Sequence, residues 1–174
     1  MAISRPIHRY YAERIFAQTT REQAPPNFRP LPQSPTGMST VEGCRGGGKN
    51  IVEVFLIADP DRVLDLRLSC GLCNPAMYVA TDVLVEWARG RALAEILSLD
   101  PHEISDLTPF FEGLGGPGRP DDAREKFQYA LVAVQNAVRD HLGQAPVPVP
   151  EFAQPEDLDL SEDIDLPEDE NELS

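Results

Sequence analysis

The chain has 174 residues, enough for one domain with a sizeable core, and a formal net charge of −14. Residues 143–174 hold eleven Asp/Glu and no Lys/Arg, which leaves about −3 for the remainder. That balance argues against nucleic-acid binding, which needs clustered Lys/Arg on phosphates, and no apolar run approaches the ~20 residues of a membrane-spanning helix.

The opening Met1-Ala2-Ile3-Ser4-Arg5-Pro6 lacks the apolar region of a signal peptide, so a cytoplasmic protein without a membrane partner is expected. Three cysteines in such a chain argue against a disulfide framework and leave metal binding, redox chemistry or inert thiols open.

Residues 7–22 place Ile7, Tyr11, Ile15 and Gln18 at helical spacing, predicting an amphipathic N-terminal helix that docks without chemistry. Residues 24–40 contain five prolines and read as an extended connection over the surface, neither helix nor central strand. A glycine-rich loop, Val41 to Asn50, carries Cys44. It is not a phosphate-binding loop, because Asn50 stands where Lys49 would need to be followed by Ser or Thr.

Ile51–Ala58 and Val63–Ser69 are rich in β-branched and aliphatic residues and flank Asp59-Pro60-Asp61-Arg62, which predicts a hairpin. The first of these strands is apolar on both faces over Val54–Ile57, so helices should cover one face and another segment the other.

The second strand runs into Cys70-Gly71-Leu72-Cys73, and Asn74-Pro75 then opens a helical pattern. A thiol at a helix N-terminus meets unpaired backbone N–H groups and the positive end of the helix dipole. Both favour the thiolate, the form that ligates metal or attacks disulfides. Strand polarity alone puts Cys44 and Cys73 at the far ends of the two hairpin strands, so one rim of the sheet can hold both.

Met77, Ala80, Val83, Leu84 and Trp87 give helical periodicity over 74–89, stopped at Gly90, with Trp87 expected in the core. Ala92–Leu97 begins another helix, residues 101–112 a short one with Pro101 in its first turn, and 122–142 the longest, with Phe127, Ala130, Leu131, Val134 and Val138 on its apolar face. The fold class is therefore α+β: a small antiparallel β-sheet packed by several helices.

Residues 143–174 form an acidic, Pro-containing tail expected to be disordered. Leu158, Leu160, Ile164 and Leu166 alternate there with acids, which also suits a short linear motif for a basic partner surface. His8, His102 and His141 lie at helix ends or on surfaces with no Ser or Asp motif around them, so nucleophilic catalysis is not expected.

A series of motifs carries a family resemblance. Asp65-Leu66-Arg67-Leu68, Cys73, Val85-Glu86-Trp87-Ala88-Arg89-Gly90-Arg91 and Leu93-Ala94-Glu95-Ile96-Leu97 occur in order at nearly the spacing of the NifU/IscU-type iron–sulfur cluster assembly scaffold family. The chain resembles that family over roughly residues 7 to 142 (domain 1–142). The resemblance implies a protein that is not an enzyme, that assembles an iron–sulfur cluster of the two-iron kind on cysteine thiolates, and that receives sulfur from a cysteine desulfurase and serves acceptor apoproteins.

By that resemblance Cys44 takes the first ligand position, where Arg45-Gly46 replaces the family's Gly-Asp, and Cys73 takes the second. The third cysteine position, at the start of the last helix, holds Lys126-Phe127, neither of which suits iron. Cys70 is an added thiol. Cys44, Cys70 and Cys73 together supply three soft sulfur donors for a cluster or for zinc, completed by water, a partner protein or a second copy in a homodimer. A redox role for Cys70-x-x-Cys73 is a rival reading. A degenerate NifU/IscU-like interaction subunit that binds a protein partner without a cluster is the alternative from another class.

Overall fold

In the computed structural model, residues 5–42, 51–70, 75–103, 110 and 121–149 are described. The helix expected over 7–22 is shorter and less regular than its periodicity predicts. It comprises α1 (Arg5–Tyr10), a π turn (Tyr11–Ile15) and a 3-10 turn (Phe16–Gln18), and it buries Ile7 and Ile15.

The chain then passes through a 3-10 turn at Pro26–Phe28 into β1 (Gly37–Glu42), β2 (Ile51–Ala58) and β3 (Val63–Cys70). These form one antiparallel sheet in the order β1-β2-β3. The end of the proline-rich stretch is thus a strand, which the proline count hid. It lies at the sheet's edge and starts two residues after Pro35, where no proline N–H is missed.

Register explains the core. Gly37, Leu56 and Leu66 are cross-strand neighbours, as are Ser39, Val54 and Leu68, and then Val41, Val52 and Cys70. Alternation sends these side chains to one face, where the aliphatic ones are buried. A register shift at Ile57/Ala58 leaves Leu64 outside the pairing, and its side chain is exposed.

Two helices cover that face. α2 (Pro75–Ala88) is buried on most sides and ends before Gly90, whose φ of +80° suits glycine alone. The chain then turns back along the start of β3, with the Gly90 N–H donating to the Val63 carbonyl (2.9 Å) and the Leu93 N–H to that of Asp61 (2.8 Å). α3 (Leu93–Leu97) follows.

α4 (Asp121–His141) is the longest helix and buries Phe127, Ala130, Leu131, Ala133, Val134, Ala137 and Val138, which include every position of the expected apolar face. Its buried amides are all used. Gln135 Nε2 donates to the carbonyls of Ile96 (3.0 Å) and Leu99 (2.8 Å), closing the end of α3, and Gln128 Nε2 donates to that of Pro101 (2.7 Å).

α4 lies unusually close to β1. A Cβ built on Gly37 would stand 2.3 Å from the Ala137 carbonyl oxygen, and Ser39 Oγ donates to the Ala133 carbonyl. Residues of small volume on both sides make the approach.

Trp87 is half-buried rather than in the core. Its ring packs on Phe110 at 5.0 Å between centroids, and the Arg91 guanidinium covers it at 4.6 Å. Residues 143–149, read as the start of the tail, are held to the domain: Asn136 exchanges two hydrogen bonds with the Val147 backbone, at 2.8 and 2.9 Å. The expectation of disorder for the acidic remainder, 150–174, lies outside the described residues.

Candidate functional site: the cysteine end of the sheet

Of the three candidate ligands only Cys70 is a described residue; Cys44 and Cys73 lie in the undescribed stretches 43–50 and 71–74. Cys70 ends β3 in register with Val52, and its half-buried side chain packs against the core on the helix-covered face. Its sulfur is in a disulfide. The thiolate that a metal would need at this position is therefore formed only after reduction.

Glu42 and Ile51 are paired residues at the adjoining ends of β1 and β2, so β1, β2 and β3 all have ends at the side of the sheet that Cys70 marks, and Cys44 and Cys73 follow Glu42 and Cys70 by two and three residues in the sequence. The opposite end holds the β2–β3 turn and Gly90. Among the described residues no group of three or more His, Cys, Asp or Glu is arranged to hold a metal ion. As a donor set the three thiols suit a soft metal, and no described carboxylate is grouped with other ligands to favour a hard one.

The histidines read as structural remain apart from this end. His8 and His102 are exposed, and His141 bridges the far end, with Nδ1 2.9 Å from Thr36 Oγ1 and Nε2 3.1 Å from the Asp59 carbonyl. Phe127, at the resemblance's third cysteine position, is fully buried against Phe110 with centroids 4.5 Å apart. It belongs to the core and leaves no room for a ligand from that position.

What the sequence reading missed is a polar network that joins the N-terminal segment, β3 and α2. Asp82 on α2 is almost wholly buried, and its two oxygens accept from Tyr10 Oη and from Asn27 Nδ2 (2.7 Å). Asn27 Nδ2 also donates to Glu86 (2.9 Å), while Arg89 donates to Asn27 Oδ1 (2.7 Å), to Glu86 (3.3 Å) and to the Leu66 carbonyl (3.3 Å). Arg89 lies 3.5 Å from Asp65, which pairs with Arg67 at 3.1 Å, and Arg67 in turn reaches the Pro26 carbonyl at 2.6 Å.

The electrostatics of the two aspartates differ. Burial pushes the Asp82 carboxyl up and, with the help of nearby Glu86, outweighs the hydrogen bonds from Tyr10 and Asn27 and the charge of Arg14. Burial also opposes ionisation of Asp65, but the Arg67 hydrogen bond, the Leu66 N–H and the charge of Arg89 hold it below the usual carboxylate range. Tyr10 is pushed up by its own burial and by Asp82.

Aromatic side chains surround the approach to Cys70 from the α2 side. Tyr78 makes a long hydrogen bond to the Cys70 carbonyl (3.4 Å), and Phe28 and Tyr11 pack on its ring at 5.2 and 6.1 Å. A groove of about 370 Å³ adjoins them, between the 28–35 segment and Glu53, Phe55, Leu68 and Ser69 of the sheet.

No family model matches this chain, and no curated protein matches it. Among the described residues no helix is long and apolar enough to cross a membrane.

Proposed function

We propose that this protein is a divergent NifU/IscU-like scaffold, which holds an iron–sulfur cluster or a single soft metal ion on Cys44, Cys70 and Cys73 and passes it to acceptor proteins. The observation that carries the reading is the register at one end of the sheet: Glu42 pairs with Ile51 and Val52 with Cys70. Strands ~4.8 Å apart put the ends of β1 and β3 roughly 10 Å from each other. Cys44 is two residues beyond Glu42 and Cys73 three beyond Cys70, so each has at most ~7 to 11 Å of chain with which to converge.

In this reading the protein supplies thiolates, partial exclusion of water and a docking surface, and the cluster is cargo. Sulfur comes from a cysteine desulfurase, and the fourth coordination position is filled by water, an acceptor's residue or a second copy of the chain. The disulfide at Cys70 means that loading follows reduction.

One observation favours a second reading, an interaction subunit of the same fold that carries no cluster: the third ligand position is occupied by the fully buried Phe127. Anaerobic reconstitution of the reduced full chain with iron and sulfide separates the two. The scaffold reading expects a visible thiolate-to-iron charge-transfer absorption that Cys73→Ser abolishes. A colourless protein, or a colour indifferent to Cys44→Ser, Cys70→Ser and Cys73→Ser alike, assigns the interaction role instead.

A further inference from the structure

The N-terminal segment meets α2 and β3 through a joint unlike the rest of the fold. Between residues 5 and 30 Ile7 and Ile15 are buried in the apolar core, with Tyr10, Tyr11 and Phe28 packed at its edge. The hydrogen-bonded hold runs through Tyr10 and Asn27 on Asp82, Asn27 on Glu86 and Arg89, and the Pro26 carbonyl on Arg67. The backbone there is a short α-helix, a π turn and two 3-10 turns, so little cooperative helix resists opening.

What this segment lies against is Tyr78. Tyr11 and Phe28 pack on its ring, and Tyr78 contacts the Cys70 carbonyl on its other side. Beyond Phe28 the chain borders a groove lined on the sheet side by Glu53, Phe55, Leu68 and Ser69.

We propose that residues 5–30 form a cover over the Cys70 end of the sheet, latched at Asp82, and that its release opens the Tyr78–Cys70 surface to reagents and protein partners. The buried carboxylate at the centre of this attachment, Asp82, meets two neutral donors and no cation in hydrogen-bond contact. The groups facing that carboxylate are Tyr10 from α1, Arg14 from the π turn, Asn27 from the 3-10 turn and Glu86 from α2 itself.

Release is thus linked to the ionisation of Asp82. The docked state favours the protonated carboxyl, so docking is strongest at and below the ordinary carboxylate range of about pH 4 and weakens as pH rises through the elevated value. The device stands whether or not the thiols hold metal, since it concerns access to them.

Hydrogen exchange on the full chain, with rates corrected for pH, tests it. Asp82→Ala removes the acceptor of two hydrogen bonds, from Tyr10 and Asn27, and should lower amide protection across residues 5–30 roughly tenfold to a hundredfold, with residues 127–138 of α4 unchanged. Tyr10→Phe removes a single hydroxyl and should give a smaller loss in the same place, which keeps the test open if Asp82→Ala does not fold. Asp82→Asn should retain protection as pH rises above the ordinary carboxylate range, where the parent loses it. In reduced protein, alkylation of Cys70 should quicken in step with the loss.

Unchanged protection in both Asp82→Ala and Tyr10→Phe overturns the latch, as does a loss shared equally by α4. Loss of protection without faster alkylation of Cys70 overturns the cover.

Discussion

The two helices that cover the sheet are joined to it by opposite means. α4 meets β1 through absent or small side chains: Gly37 under the Ala137 carbonyl and Ser39 under that of Ala133, with Phe127, Leu131 and Val134 filling the core alongside. α2 is apolar towards the sheet, but Asp82 and Glu86 on it and Arg89 just past its end gather β3 and the N-terminal segment into one hydrogen-bonded set. Close packing tolerates almost no change of volume, whereas hydrogen-bonded partners can separate and rejoin. The first joint therefore fixes the domain, and the second lets one segment of it respond to conditions.

The largest expected effect lies in the packed joint. Phe127→Ala removes a fully buried ring that packs at a tilt on Phe110 and should lower unfolding free energy by about 3–5 kcal/mol in urea titrations. Gly37→Ala comes next. Its new methyl cannot coexist with a carbonyl oxygen at 2.3 Å, so helix or strand must shift, at a cost of roughly 1–3 kcal/mol. If Gly37→Ala proves neutral, the close approach of α4 to β1 is wrong.

Arg89→Ala probes the polar joint. It strips hydrogen bonds from Asn27, Glu86 and the Leu66 carbonyl and should cost about 1–3 kcal/mol, read mainly as lost protection in the N-terminal segment. A loss spread evenly over α4 would erase the distinction between the two joints.

The smallest effects carry sign. Asp65 is held below its ordinary range, so its contribution to stability is present above about pH 4 and is lost as pH falls through its depressed value. Asp82 is raised, so its contribution is present below about pH 4 and is lost as pH rises. Asp65→Asn should therefore flatten the acid limb of a stability–pH profile, and Asp82→Asn should flatten the limb above it.

Much of the fold was legible because period and composition agree with packing. The β2–β3 hairpin, α2 ending before Gly90, and the apolar face of α4 follow from alternation, helical spacing and a residue suited to positive φ. β1 was hidden by the prolines before it, and its signature is the run of small and β-branched residues Gly37, Ser39 and Val41 that only the neighbouring helix explains.

The residues that carry the family resemblance proved instructive. Asp65, Arg67, Glu86 and Arg89 all belong to the polar network, so these motif positions encode how α2 and β3 are joined. Asn27 and Tyr10, their partners from 55 and 72 residues away from Asp82, carry no local signal at all. The disulfide at Cys70 was equally illegible, since spacing alone does not tell a metal ligand from an oxidised thiol.

The central claim is that Cys44, Cys70 and Cys73 converge at one end of the sheet and take a soft metal or a cluster. Metal and acid-labile sulfide content of the full chain, purified without air, tests it most directly. Iron and sulfide in comparable amounts, or zinc alone at one ion per chain or per pair of chains, with both lost when Cys73 is replaced by Ser, is the result expected. Protein that comes out free of metal, with its disulfide intact and its fold unchanged by loss of the cysteines, would contradict it.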